Sequence, residues 1–237
     1  MTGWLTVFGI VCLLLLLHIF IPWGVKLALR KRFLRHAQQS EAIFLTFDDG
    51  PNTHATETLL DLLKEYQVKA SFFILGRNAE KIPQLLRRMK NEGHCIGDHS
   101  YSHTHAWKTD PISTAVDLLH GATTLSSILN TRPRFFRPPF GKLNIASLLY
   151  IWMRRNVVAF WTIDPRDYDQ TSDVVVAAHV IERLKPGSVV LLHDGSPESD
   201  RTATSTVDAV RRILEAGKAS GFTFASLETL FPIKSNG

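Results

Sequence analysis

Cysteine is nearly absent from this chain of 237 residues, which has only Cys12 and Cys95. Two cysteines cannot build a disulfide framework, and Cys12 lies in an apolar stretch from which no bridge to Cys95 is expected. Internal repeats and low-complexity tracts are also missing, which excludes a repeat array. The first 40 residues contain no Asp or Glu. They hold five basic residues, Lys26, Arg30, Lys31, Arg32 and Arg35, whereas residues 41–237 carry 22 basic and 22 acidic side chains. The formal charge of +5 is therefore one short cluster on an otherwise neutral body. This pattern argues against a nucleic-acid partner and for anionic lipid head groups. With 45% hydrophobic and 21% charged residues, the chain can bury a sizeable core.

The run Trp4 to Trp23 has no Asp, Glu, Lys or Arg. Twenty helical residues span about 30 Å, the thickness of a bilayer core. Tryptophan stands at both ends, where aromatic rings favour the interface. A cleavable signal peptide would need a shorter apolar core, preceding positive charge and an Ala-x-Ala-like site, and none is present. The expectation is an uncleaved single-pass anchor over residues 1–23. Its His18 is read as a neutral residue rather than a proton relay. Residues 24–40 are expected as a basic juxtamembrane linker, with an interfacial helix through Leu27, Leu29, Phe33 and Leu34 as one form of it. Residues 41–237 form the body. Basic residues follow the span and do not precede it, so the positive-inside rule puts the body in the cytoplasm.

Beyond Ala42, strand-length apolar runs alternate with stretches of helical period. The runs are Ile43–Phe47, Ser71–Leu75, Cys95–Gly97, Arg134–Arg137, Val157–Trp161, Val189–Leu192 and Phe222–Ala225. The helix candidates are Thr56–Glu65, Ile82–Asn91, Thr114–Leu129, Ile145–Arg154, Ser172–Leu184 and Val207–Ala216. Alternation of this kind predicts an α/β fold with a mostly parallel sheet, here a barrel or strongly curved sheet of about seven strands. Chemistry-bearing residues fall at or just after strand ends: Asp48, Asp49, His99, Arg137, Asp164 and His193. In α/β barrels the active site is built there.

Thr46-Phe47-Asp48-Asp49-Gly50-Pro51 ends a strand on two carboxylates. Neighbours on an extended strand face opposite sides, so the two can serve different roles. An ordinary turn is the plain alternative, since Asp, Gly and Pro all favour turns. His99-Ser100-Tyr101-Ser102-His103 spaces two imidazoles four apart, one face of a helical turn. With Asp49 they make a two-histidine, one-carboxylate set that leaves metal positions open. By themselves two such histidines are more often surface residues. His105 is read as solvent-facing or as a neighbour of the ligands. Arg137-Pro138-Pro139-Phe140-Gly141 fixes one guanidinium and offers the N–H groups of Phe140 and Gly141 to an oxyanion. Trp161-Thr162-Ile163-Asp164-Pro165-Arg166-Asp167-Tyr168 presents carboxylates and aromatic faces suited to sugar rings. Val189-Val190-Leu191-Leu192-His193-Asp194-Gly195 ends a buried-type strand on one histidine. Core or loop roles are the plain alternatives for these three segments.

Taken together, the order and types of these residues resemble the polysaccharide deacetylases, the NodB-homology domain of carbohydrate esterase family 4. The resemblance covers roughly Ala42 to Phe231, with TFDDGP the most specific motif, HSYSH and RPPFG next, LLHDG supportive and WTIDPRDY the loosest. It implies a distorted (β/α) barrel that removes an N-linked acetyl group from an amino sugar. It also implies Asp48 as general base and Asp49, His99 and His103 as ligands of one divalent metal. Zinc is the first choice, with cobalt, nickel and manganese also open. Arg137 resembles the residue orienting the base, and Asp164 the acid tuning the charge network, with Asp167 a second possibility. His193 resembles the general acid, Leu191 the lining of the acetyl pocket, and Phe140, Trp161 and Tyr168 contacts to substrate. Three departures concern substrate contacts rather than chemistry: Thr104 where proline is common, Phe140 where tyrosine is common, and Tyr168 where tryptophan is common.

Two other functions stay open at this point. One is a deacylase or deformylase of a lipid-linked or small N-acyl sugar, which a cytoplasmic body would favour. The other is an inactive sugar-binding module, against which stand the intact Asp48, Asp49, His99, His103 and His193. Family analogy favours an exterior body, opposite to the charge rule. The partners expected are an acylated glycan or lipid-linked sugar and membrane lipid.

Overall fold

A computed structural model describes residues 2–169, 172–195 and 203–232. Helices α1 (Thr2–Leu15) and α2 (Ile21–Gln38) join through a π-helical turn at Leu16–Phe20 into one long rod. The body then alternates strand and helix: β1 (Ala42–Asp48), α3 (Ala55–Glu65), β2 (Ser71–Ile74), α4 (Gly76–Lys81), α5 (Pro83–Asn91), β3 (Cys95–Asp98) and α6 (Pro111–Leu129). It continues with β4 (Phe135–Phe136), α7 (Ile145–Arg154), β5 (Val157–Val158), α8 (Asp173–Ile181), β6 (Val189–His193), α9 (Ala203–Ala219) and β7 (Thr223–Phe224). All seven expected strands are present, three of them only two residues long. Helix α4 had no counterpart in the hydrophobic pattern because it is short and polar, GRNAEK.

Every pairing is parallel, in the order β5-β4-β3-β2-β1-β6, with β7 beside β1. An isolated bridge from Ile163 to Val190 joins the two ends into a distorted barrel. Alternation sorts the strands by face. Ile43, Leu45 and Phe47 join Phe72, Ile74, Val190 and Leu192 in an outer apolar layer under the helices. Phe44, Phe73, Cys95, Phe135 and Val189 fill the interior instead. The inward row of β1 therefore runs Phe44, Thr46, Asp48, apolar at the foot and polar at the C-terminal end.

Helix ends follow local chemistry. Asp110 caps α6 by accepting from the N–H groups of Ile112 and Ser113, with Pro111 at the first position. Asn144 and Ser147 form a reciprocal capping box on α7. Both helices consequently start at the C-terminal ends of strands, where they frame the site.

The stretch Gly3–Gln38 includes a segment long and apolar enough to cross a membrane or to act as a signal sequence, and that segment is not buried against the body. Of the expected juxtamembrane linker, residues 24–38 are helical, as one form of it had them, and lie in α2. That helix packs on the body: its Phe33 and Ala37 are buried in the interior layer with Phe44 and Phe160, and its Leu29 and Leu34 pack at the edge. Phe33 sits edge-on to Phe160 at 6.1 Å and stacks on Phe231 at 6.0 Å. Burying one such ring is worth about 1.5–3 kcal/mol, enough to dock the helix. Arg30, Lys31, Arg32 and Arg35 remain exposed on the other faces.

Candidate active site and metal centre

The site lies where β1, β3, β4 and β6 end. Parallel register sets Thr46 beside Leu191 and Asp48 beside His193 on the inward face. Leu191 is 5% exposed and belongs to neither apolar layer; its register beside Thr46 puts it on the inward face near Asp48. Asp48 and Asp49 do not part to opposite sides as an extended pair would. Asp49 has φ of 70°, a left-handed conformation that turns its carboxylate back toward the site. Asn78 Nδ2 holds the Asp49 carbonyl at 2.8 Å. A Cβ at Gly195 would fall 2.4 Å from that carbonyl oxygen, so only glycine fits there.

His99 and His103 also meet by a route other than the helical turn predicted. Residues 99–104 form a loop in which Ser100 and His103 have φ of 73° and 65°. Asp98, buried at the end of β3, accepts from the Ser100 N–H at 2.9 Å and from the Tyr150 hydroxyl, fixing the loop base. Ser100 Oγ then accepts from the His103 N–H at 3.0 Å. The outcome is the convergence the spacing suggested. His99 Nε2 lies 3.5 Å and His103 Nε2 3.4 Å from the same oxygen, Asp49 Oδ1.

These three atoms fit a cation. His99 Nδ1 lies 2.6 Å from the Arg137 carbonyl, which accepts its proton and leaves Nε2 as a bare acceptor. Burial lowers the pKa of both His99 and His103 to about 3, so both are neutral. Burial also raises Asp49 to about 7, and its Oδ1 is buried without a hydrogen-bond partner. One carboxylate oxygen and two imidazole nitrogens match a divalent ion in donor type and number, and all lie within 4.8 Å of one another.

Asp48 is handled differently. Arg137, fully buried, donates from Nη1 to Asp48 Oδ1 at 2.7 Å and to Thr46 Oγ1 at 2.9 Å, and from Nη2 to the Phe160 carbonyl at 3.3 Å. Its guanidinium lies 4.0 Å from the Phe73 ring centroid and 5.6 Å from that of Trp161. Asp48 Oδ2 faces His99 Nε2 at 3.6 Å, beside the cation site.

His193 receives Asp167 twice. The Asp167 carboxylate lies 2.8 Å from His193 Nδ1 and accepts the His193 N–H at 2.8 Å. Burial opposes charge on the imidazole, but Asp167, Asp48 and Asp49 outweigh it and raise its pKa to about 9. Asp167 is thus the carboxylate of the fourth segment that reaches the site. Asp164, the residue expected there, accepts instead from the Arg166 N–H at 3.0 Å within its own exposed turn. The turn at Pro165, with Arg166 at φ of 56°, separates the buried Asp167 from the half-buried Asp164.

The remaining expected contacts divide. Phe140 is 55% exposed with φ of 55°, its ring 4.4 Å from His103 and 4.8 Å from His105. The Gly141 N–H donates to the Pro138 carbonyl at 2.9 Å, so of the two donors proposed for an oxyanion only that of Phe140 remains a candidate. Trp161 packs over Gly141 behind Arg137 and is half-buried, whereas Tyr168 is exposed at the rim with its ring edge-on to His193 at 5.2 Å. Sequence reading missed Thr46, Asp98 and Asp194. Asp194 is fully enclosed, accepts from Thr56 Oγ1 at 2.5 Å and has a pKa raised by burial to about 7. Its position directly after His193, and the placement of Thr46 two residues before Asp48, were the available signals.

A family described as polysaccharide deacetylase matches residues 35–151 of the chain. A peptidoglycan-N-acetylglucosamine deacetylase of Bacillus cereus is 34% identical over 80% of this chain and 68% of its own length. A chitooligosaccharide deacetylase of Bradyrhizobium is 31% identical over 81% of this chain and 91% of its own. Among solved structures, a peptidoglycan N-acetylglucosamine deacetylase in complex with 4-naphthalen-1-yl-N-oxidanyl-benzamide superposes with a TM-score of 0.76 at 33% identity, covering 82% and 89% of the two chains. A family 4 acetyl xylan esterase of Clostridium thermocellum, in complex with a cobalt ion, gives 0.71 at 31% identity over 80% and 90%.

Proposed function

Because the chain belongs to the polysaccharide deacetylase family, we propose that it is a metal-dependent hydrolase removing the acetyl group from an N-acetylated amino sugar. The coarser statement needs no proposal: it is a carbohydrate deacetylase, a hydrolase of carbon–nitrogen bonds other than peptide bonds. The observation that carries the metal reading is the convergence of Asp49 Oδ1, buried without a hydrogen-bond partner, with the ring nitrogens of His99 and His103.

A divalent ion there, zinc by donor preference, would supply Lewis acidity and lower the pKa of a bound water to about 7. The chain's own groups do the rest. Asp48 takes the proton of the attacking water, and Arg137 holds that carboxylate in place by donating to its Oδ1. His193, charged at neutral pH, gives its proton to the departing amine, while Asp167 holds the imidazole in register. The Phe140 N–H is the backbone donor assigned to the developing oxyanion. Leu191 limits the acyl pocket, and the faces of Phe140 and Tyr168 flank the sugar.

We propose that residues 1–23 anchor the chain in a membrane; the basic side chains that follow favour a cytoplasmic body by the positive-inside rule, and the family analogy favours an exterior one. Protease added to intact cells stripped of outer layers tests the side: digestion of the body without lysis rejects the cytoplasmic one. The activity test is acetate release from N-acetylated chito-oligosaccharides by the purified full chain, with and without a chelator. Activity should vanish with chelation and return with zinc. Full activity of protein shown to be metal-free rejects the reading, and release of formate alone converts it to a deformylase.

A further inference from the structure

The rod formed by α1 and α2 fixes which face of the barrel meets the membrane. Its C-terminal end lies at the foot of the barrel. A Cβ at Gly187, just before β6, would fall 2.3 Å from the Ala37 carbonyl oxygen. Eleven residues earlier, Lys26 stands at the other face, its Nζ 3.7 Å from where a Cβ at Gly141 would lie. Eleven helical residues rise about 16 Å, about the length of a five-residue strand. The rod thus runs the depth of the barrel and leaves it beside the Pro139–Gly141 turn that carries Phe140. The apolar run ends at Trp23, three residues or about 5 Å further along the rod.

Exposed apolar side chains gather on that same face. Helices α6, α7 and α8 start at the C-terminal ends of strands, and their first two turns expose Ile112 (78%), Leu149 (55%), Val174 (53%) and Val175 (52%). Phe140 and Tyr168 are exposed on the loops between them. The rod packs against α7, whose exposed Trp152 and Met153 lie at its far end, toward the foot, and do not belong to this patch. Among the described residues, α3, α5 and α9 expose no large hydrophobic side chain. Cations join the patch. Burial, Lys142 and Arg30 together lower the pKa of Lys26, so three basic groups share this edge of the mouth.

We infer that the catalytic face of the barrel rests on the bilayer from which the rod emerges, and that the acylated amino sugar it processes is the head group of a lipid carrier. The inference rests on the deacetylase reading for its chemistry and on the rod for its geometry. A substrate held in the plane of the membrane reaches Asp48 and the cation site without leaving the surface. The lysine and arginine edge meets the carrier's phosphate and the anionic head groups, and the exposed aliphatic turns sit in the interface.

The full chain in vesicles of phosphatidylcholine with a minority of phosphatidylglycerol tests both parts. In a Cys12→Ala background, which leaves only the buried Cys95, a fluorophore is placed at Lys142→Cys or Asp169→Cys on the catalytic face, or at Glu41→Cys at the foot. Lipids brominated near the head group should quench the first two and spare the third. Equal quenching at all three, or quenching strongest at Glu41→Cys, overturns the orientation. Acetate release is then compared between N-acetylglucosamine on a polyprenyl phosphate in the same vesicles and soluble chito-oligosaccharide. The carrier substrate should have a kcat/KM about tenfold higher or more. A preference for the soluble oligomer overturns the substrate class. Release from neither substrate, with the quenching pattern intact, rejects the deacetylase reading and not the orientation.

Discussion

Asp48 and Asp49 are adjacent in the chain and handle charge in opposite ways. Around Asp48 the charges are paired, with Arg137 and Thr46 on one side and His193 with Asp167 behind it, although Arg137 Nε is buried without a partner. Around Asp49 the partners are withheld, and Oδ1 faces two neutral imidazoles and no donor. Under the proposed mechanism the paired half moves protons. The unpaired half leaves a buried acceptor unsatisfied, which costs about 1–3 kcal/mol, and a bound cation would offset that cost. Other buried acceptors also lack partners, Asp194 Oδ1 among them, so it is the convergence of Asp49, His99 and His103 that sets this place apart.

The largest test of this contrast is His103→Ala. It removes a ligand and leaves the proton-transfer half intact, so bound zinc measured by elemental analysis and activity should both fall to background. Retained zinc with retained turnover would erase the distinction between halves. Asp48→Asn is the mirror experiment. Zinc content should stay at the wild-type level while kcat falls by about 10²–10⁴, and a loss of metal would show that Asp48 belongs to the other half. Asp167→Asn acts through His193. Its carboxylate raises the His193 pKa to about 9, so the proton needed for the leaving amine is present below that pH and lost above it. Removing the carboxylate lowers the pKa, and the alkaline limb of kcat/KM should move down by about 1–3 pH units; an unmoved limb would make another group the acid. The smallest effect belongs to Asp164→Asn. Among the described residues its carboxylate accepts from the Arg166 N–H, and it is half-buried, so kcat should stay within about twofold of wild type and the alkaline limb should not move.

The pair Asp164 and Asp167 also shows where sequence reading stops. Both follow an apolar run and both lie in WTIDPRDY, and period alone cannot say which one a proline turn swings inward. The seven strands were legible because apolar runs of strand length fell between helical stretches, and strand ends located Asp48, Arg137 and His193. Convergence of Asp49, His99 and His103 was legible in outcome and not in cause. Left-handed backbone at Asp49, Ser100 and His103 has no signature in residues other than glycine, because it is imposed by tertiary hydrogen bonds such as those of Asn78 and Asp98. The docking of α2 was obscured for another reason. Four exposed basic side chains surround the buried pair Phe33 and Ala37, and their charge reads as a solvated linker even though one face of the helix is core. The family match begins at residue 35, so most of α2 lies outside it.

Arg137 touches both halves at once. Its guanidinium grips the Asp48 carboxylate, and its carbonyl oxygen receives the His99 imidazole at 2.6 Å. In the language of instrument making, one residue serves as the common datum for two parts that must stay in alignment. Any drift of the loop after β4 carries Asp48 and His99 together, so the gap between the proposed base and the proposed ligand is held even when their absolute position is not. The tolerance that catalysis demands is thereby set across a single residue's length rather than across the width of the barrel.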